Sequence, residues 1–237
     1  MRFPFLSILL PLAWVLTVLP PASAGEAPTV RVAHLQGTTT LPQHPQRVVI
    51  LNPSTLDIAD ALGITPAGVP QAGFTYPAHL AKYNGQGYFN AGTLFEPAYE
   101  ALSAAAPEAI FAGGRALAAY NKLSGIAPTV SLDIDPHDFM QSLTQRTTQL
   151  GEIFGKQAQA TAVLTAFNAQ IADLRPLAAR SGSAMMLMVN GGKLSAYTPH
   201  SRFGFIFDVL QFKPALSLPN ASKHGNAISP ELIMQAN

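Results

Sequence analysis

The feature that most constrains this chain is an alternation of short, unbroken apolar runs with stretches of helical spacing. Arg47 to Leu51 carries Val48, Val49 and Ile50 with no polar alternation. A strand apolar on both faces belongs inside a sheet that helices cover on both sides. Asn52-Pro53-Ser54 then reads as a turn carrying a helix N-cap, and Leu56 to Leu62 has helical spacing that ends at Gly63. The alternation continues with a strand at Ile64 to Val69 and a short helical piece at Leu80 to Tyr83. A helix at Pro97 to Ala105 precedes the strand Ala109 to Ala112, which runs into Gly113-Gly114-Arg115. A helix (Ala116 to Ser124) and a strand (Thr129 to Leu132) close the series. This βαβα order predicts an α/β lobe with a mainly parallel sheet, spanning residues 25–137 after an N-terminal signal.

Leu143, Leu150, Ile153, Phe154, Val163, Leu164, Phe167, Ile171 and Leu174 recur at near-helical spacing. They predict one long helix from Phe139 to Leu174, with Gly151 and Gly155 as places to bend and an end near Pro176. No low-complexity linker occurs, so residues 138–176 are expected to connect two lobes. Beyond them, Ala184 to Val189 reads as a buried strand. Asn190 to Lys193 is a hairpin turn, Leu194 to Tyr197 its partner strand, and Arg202 to Leu210 a helix with an aromatic face. Ser229-Pro230-Glu231 starts a last helix with Ser at the N-cap and Pro at the first helical position. The fold class expected is α/β: two lobes with mainly parallel sheets joined by one long rigid helix, the second (177–237) incomplete. Poor cover for the strand at Ala184 to Val189 would then make the chain prone to instability or aggregation.

Residues 1–24 read as a secretory signal: Arg2, an apolar stretch from Phe3 to Leu19, and a small-residue cleavage site at Ala22-Ser23-Ala24. A membrane anchor is the rival reading, weakened by Pro4, Pro11 and the lack of a cationic stop-transfer run. Cysteine is absent, which excludes disulfides, thiolate metal sites, a Cys nucleophile and a lipidated N-terminal cysteine. An exported, unlipidated chain of this kind suits a bacterial periplasm. The 14 Lys and Arg residues balance 13 Asp and Glu, so no basic face for nucleic acid is expected.

Among chemistry-bearing residues, Arg115 follows an apolar strand and two glycines. It therefore sits at the carboxyl end of a strand, where open α/β sheets bind ligands. Arg202 lies in the loop Thr198 to Gly204 that enters a helix. The ordinary alternative for each is a surface or capping arginine. His224, in the polar loop Ser222 to Asn226, is either a solvated loop histidine or an imidazole for a ligand or metal. Glu100 and Glu231 each open a helix near a proline, Pro97 or Pro230. Their ordinary role is to complement the helix dipole; their functional one is to present matching carboxylates on one outer face. A hydrolase using Ser201 or Ser54 with a histidine has only scattered residues behind it, with no G-x-S-x-G and no H-E-x-x-H.

The run Tyr99-Glu100-Ala101-Leu102, continued by Pro107 to Arg115, resembles the first lobe of periplasmic siderophore-binding proteins of ABC importers. Asn190 to Tyr197, Ser201-Arg202-Phe203-Gly204 and Lys223 to Ser229 resemble the second. The likeness is nearest to ferric-catecholate binders of the enterobactin and petrobactin type and covers residues 29 to 237. It implies a ligand between the lobes, faced by Arg115, Arg202 and a third basic residue that would lie beyond Asn237. It implies a ferric siderophore as cargo, no cofactor of the protein's own, no catalysis, a monomer, and an inner-membrane ABC permease docked through Glu100 and Glu231. His224 matches a histidine that some members use as an iron ligand together with a later tyrosine, which would also fall beyond the end. Haem and cobalamin remain alternative cargoes, because the first-lobe run is shared with their carriers. A tris-catecholate of ferric iron is a bulky trianion, and guanidinium groups suit it by charge, donor number and stacking.

Overall fold

The computed structural model describes residues 28–218 and 225–236. The signal at 1–24 and His224 lie outside the described residues.

The chain starts with an antiparallel hairpin, β1 (Thr29–His34) and β2 (Gly37–Pro42). The parallel run follows: β3 (Val48–Ile50), α1 (Pro53–Ala61), β4 (Gly68–Val69), β5 (Phe89–Asn90), α2 (Tyr99–Ala105), β6 (Ala109–Ala112), α3 (Tyr120–Ser124) and β7 (Thr129–Ser131). The helical piece read at Leu80 to Tyr83 is a 3-10 turn (Ala78–Asn84), and the helix read from Ala116 to Ser124 begins as another (Gly114–Ala119) before α3. The five strands form one parallel sheet in the order β5-β4-β3-β6-β7. The expected α/β class is therefore what the first lobe shows.

Alternation along the central strands sorts the core into two layers. Val48 and Ile50 of β3, with Ala109 and Phe111 of β6, face a cluster that includes Leu56, Leu62 and Leu150. Val49 and Leu51, with Ile110 and Ala112, face the other, which includes Leu102 and Leu123. Both faces are covered, so a charge has no place in these runs.

The single long helix expected from Phe139 to Leu174 is two helices: α4 (Phe139–Phe154) and α5 (Gln157–Arg180). Gly155 ends α4 in the left-handed region at φ +64°, and the ring of His44 occupies the space a Cβ would need there. Apolar periodicity runs on across the break because α5 folds back along α4. Leu143 and Thr147 of α4 line the same groove as Val163 and Phe167 of α5. α4 therefore belongs to the first lobe, where Leu150 and Ile153 are fully buried. The connector is α5 alone. It begins in the first-lobe core at Ala160 and reaches the second region, where Arg175 Nε donates to the Val209 carbonyl at 2.9 Å. It also continues through Pro176 to Arg180 rather than ending there.

The second region contains β8 (Ser183–Ala184), β9 (Met186–Asn190), β10 (Lys193–Tyr197), α6 (Phe205–Asp208), β11 (Lys213–Pro214), β12 (Asn226–Ile228) and α7 (Pro230–Ile233). β9 and β10 form the expected hairpin, and β12 pairs antiparallel with the outer edge of β10. β8 and β11 pair in parallel. None of the five residues of β9 is fully buried. α7 starts as expected, with Ser229 Oγ accepting from the Leu232 amide at 3.4 Å.

Candidate functional site: a two-arginine hollow at the switch point

The sheet order places the reversal between β3 and β6, because the chain first builds outward through β4 and β5 and then returns to the other side. Ligands of open α/β sheets bind at the carboxyl ends of the strands flanking such a reversal. β3 leads into Leu51 and Asn52, and β6 leads into Gly113 and Gly114.

Three side chains lock this corner. Asn52 Oδ1 caps α1 by accepting from the Ser54 amide at 3.1 Å, and its Nδ2 donates to Asp133 Oδ1 at 2.7 Å. The Gly114 amide donates to the same oxygen at 2.6 Å, and Ser131 Oγ donates to Oδ2 at 3.2 Å. A Cβ on Gly113 would lie 2.5 Å from both Asn52 Nδ2 and Asp133 Oδ1, so only glycine lets the backbone rest on this pair. The result is a pinned loop that presents Arg115. Its exposed guanidinium lies over the ring of Phe95, 4.6 Å from the centroid.

The second region holds Arg202 by different means. Asp208 Oδ2 accepts from the His200 amide at 2.8 Å, and its Oδ1 lies 3.4 Å from His200 Nδ1. Gly204 leaves the space that Asp208 Oδ2 occupies, since a Cβ there would come within 2.5 Å of it. This folds the Thr198–Gly204 loop and turns Arg202 toward the first lobe. Phe139 and Phe205 meet edge to face at 5.0 Å between centroids and hold the two regions together nearby.

Arg115 and Arg202 line one hollow of about 320 Å³ with Asn52, Leu94 and Gly113. A second hollow of about 400 Å³ adjoins it, sharing Asn52, Ser54, Gly114 and Arg202 and extending to Asp133 and Phe139. Among the described residues, neither arginine forms an ion pair with a carboxylate. Two permanent cations thus face one cavity that no carboxylate among the described residues lines, while Asp57 and Asp133 line the adjoining hollow; the first is a charge arrangement suited to an anion.

Ser201 is buried, and its hydroxyl donates to the Thr198 carbonyl at 2.6 Å, not to a histidine. Ser54 serves the α1 cap through its amide. Glu100 and Glu231 are both exposed, in the first turns of α2 and α7. Hydrogen bonds from Ser229 and from its own backbone hold the Glu231 carboxyl below its usual pKa. Sequence reasoning missed Asp133 and Phe95. Asp133 follows β7 as Asn52 follows β3, which was a usable signal. Phe95 stands alone in a loop, with no periodicity to mark it.

A model of the periplasmic binding protein family matches residues 48–237. The chain belongs to that family. It is 33% identical over 202 residues to the petrobactin-binding protein YclQ of Bacillus subtilis, covering 84% of this chain and 63% of that one. It is 35% identical over 218 residues to the ferric-anguibactin-binding protein FatB of Vibrio anguillarum, covering 90% and 67%. The crystal structure of YclQ superposes with a TM-score of 0.83 at 32% identity, over 87% of this chain and 73% of that one. The periplasmic catecholate-siderophore binding protein VctP of Vibrio cholerae superposes at 0.78 and 33% identity, over 87% and 74%. The chain spans about two thirds of the length of these curated relatives. The resemblance to siderophore-binding proteins read from the Arg115 and Arg202 segments therefore stands.

Proposed function

We propose that this chain captures a ferric siderophore, of the catecholate type, outside the cytoplasmic membrane and delivers it to an ABC permease. The observation that carries this reading is the placement of Arg115 and Arg202, from two separate regions, on one hollow at the switch point. Ferric iron prefers hard oxygen donors, and catecholate oxygens supply them within the chelate. The protein's task is then to recognise a large anion. Guanidinium groups do so with a fixed charge, several donors and a flat face for aromatic rings. No covalent step is required, so binding and release make up the whole cycle.

Glu100 and Glu231, exposed at two helix starts, are the docking carboxylates of this reading. Their attraction to a basic permease surface would speed encounter and weaken with salt. His224 is its candidate direct iron ligand. Residues 1–24, cleaved after Ala24, are the export signal of this reading.

Intrinsic tyrosine fluorescence, titrated with ferric catecholate, ferric citrate, ferric hydroxamate, haem and cyanocobalamin, tests the proposal. Saturable quenching by the ferric catecholate is the expected result. No response to it, or a saturable response to haem or cyanocobalamin alone, overturns the reading.

A further inference from the structure

Both arginines of the hollow rest on phenylalanine rings, but the two rings differ in what else they do. Phe203 lies 5.2 Å from the Arg202 guanidinium and is half-buried, with Tyr197 edge-on to it at 4.7 Å between centroids. Its surface is committed to the packing of the second region. Phe95 lies 4.6 Å from the Arg115 guanidinium and remains 61% exposed. Among the described residues no other ring contacts it.

The exposure is not that of a loose loop. Thr93 Oγ1 accepts from the amides of Phe95 at 3.1 Å and Glu96 at 2.9 Å, and the Thr93 amide donates to the Glu96 carbonyl at 3.0 Å. Gly92 and Pro97 bridge beneath the turn. Leu94, the preceding residue, lines the same hollow as Arg115. The chain thus holds a bare aromatic ring against the guanidinium of a residue that lines the cationic cavity, one residue along from Leu94 in its wall. Exposing a large apolar ring is unfavourable in water and becomes favourable when a flat apolar partner covers it.

We infer that Phe95 is a ligand-contact residue: its ring stacks on an aromatic donor ring of the bound chelate while Arg115 takes the neighbouring anionic oxygens. The inference rests on the ferric-catecholate reading and adds an aromatic contact to a site otherwise defined by charge.

Calorimetric titration with iron(III) and three equivalents of 2,3-dihydroxybenzoate tests it on the wild type, Phe95→Leu, Phe95→Tyr and Phe95→Trp. Loss of one such contact at a partly exposed site should raise Kd roughly fivefold in Phe95→Leu. Phe95→Tyr and Phe95→Trp, which keep a ring, should stay within about twofold of the wild type. Repeating Phe95→Leu in an Arg115→Gln background separates a direct contact from a prop for the guanidinium, because only a direct contact keeps its effect there. Equal affinity of Phe95→Leu and wild type, or an effect that vanishes without Arg115, overturns this inference alone. A wild type that binds no ferric catecholate overturns it together with the proposed function.

Discussion

The first lobe and the second region each present one arginine to the hollow, but on different foundations. β3, β6 and β7 are buried at every position, and Arg115 leaves them through a glycine pair seated on the Asn52–Asp133 hydrogen bond. In the second region β9 is half-buried at best, and Arg202 sits on a short loop tied by Asp208 to His200, whose ring is mostly exposed. A buried scaffold with satisfied polar groups fixes a side chain far more firmly than a tie open to water. The contrast sets the two walls of one cavity on scaffolds of unequal burial, although Ser201 is buried within the Arg202 loop.

The contrast breaks most directly in stability. Phe111 is fully buried and stacks near Phe154 at 5.7 Å, so Phe111→Ala should cost about 3–5 kcal/mol in urea unfolding. Val189 is 69% exposed on β9, and Val189→Ala should cost less than about 0.5 kcal/mol. Similar losses at the two sites would end the distinction between the regions.

Ligand binding sharpens it next. Arg115→Gln and Arg202→Gln should each weaken a ferric catecholate by roughly ten- to a hundredfold, the range for a charge-assisted hydrogen bond lost from a cleft. Unequal burial of the two scaffolds leaves both charges on one cavity, so both substitutions should matter. An effect confined to one of them would show that the cavity is not shared in solution.

A third expectation concerns the clamps. Asp133→Ala leaves Asn52 Nδ2 and the Gly114 amide without their acceptor and should cost about 1–3 kcal/mol of stability along with affinity. Asp208→Ala frees an amide close to water and should cost less than about 1 kcal/mol while still loosening Arg202. Thermal unfolding and chelate titration of both variants read the two effects separately.

The smallest effect is acid sensitivity in the first lobe. Burial alone would raise the Asp60 carboxyl, but hydrogen bonds from Lys82 and Tyr83 outweigh it and hold the pKa below its usual value. A depressed folded pKa contributes stability above the unfolded pKa and loses it as pH falls through the folded one. The melting temperature should therefore decline at acid pH below the ordinary aspartate range, and Asp60→Asn should flatten that decline. An unchanged pH profile in Asp60→Asn would remove this pair from the account. His34 acts in the same direction nearer neutrality, since burial and then Arg146 lower its pKa. The unfolded chain takes up its proton first as pH falls, and stability decreases through that window.

Much of the first lobe was legible because its signals are local. Val48 to Ile50 and Ala109 to Ala112 are apolar without interruption, and such runs have few places to go but the middle of a covered sheet. The β1–β2 hairpin was not legible. Its two-residue turn is Leu35-Gln36, which carries none of the usual hairpin residues, and of its two strands only Val32 and Leu41 are buried. Arg115 and Arg202 were found from their loops, whereas Asp133 became visible only once Asn52 and Gly114 were seen to converge on it.

By itself the sequence determined the central strands β3, β6 and β7 and the β9–β10 hairpin, where α1 and α7 begin, and that two glycine-linked arginines sit at loop positions. These follow from apolar periodicity, capping residues and glycine placement within a few residues of one another. Only the tertiary structure decided that the helical run from Phe139 folds back at Gly155 and that Phe95 faces outward beside Arg115. Only it brought the two arginines from opposite ends of α5 to one hollow. Helical periodicity is the same whether a chain runs straight or doubles back, and the place where it turns is packed by the ring of His44, more than a hundred residues away.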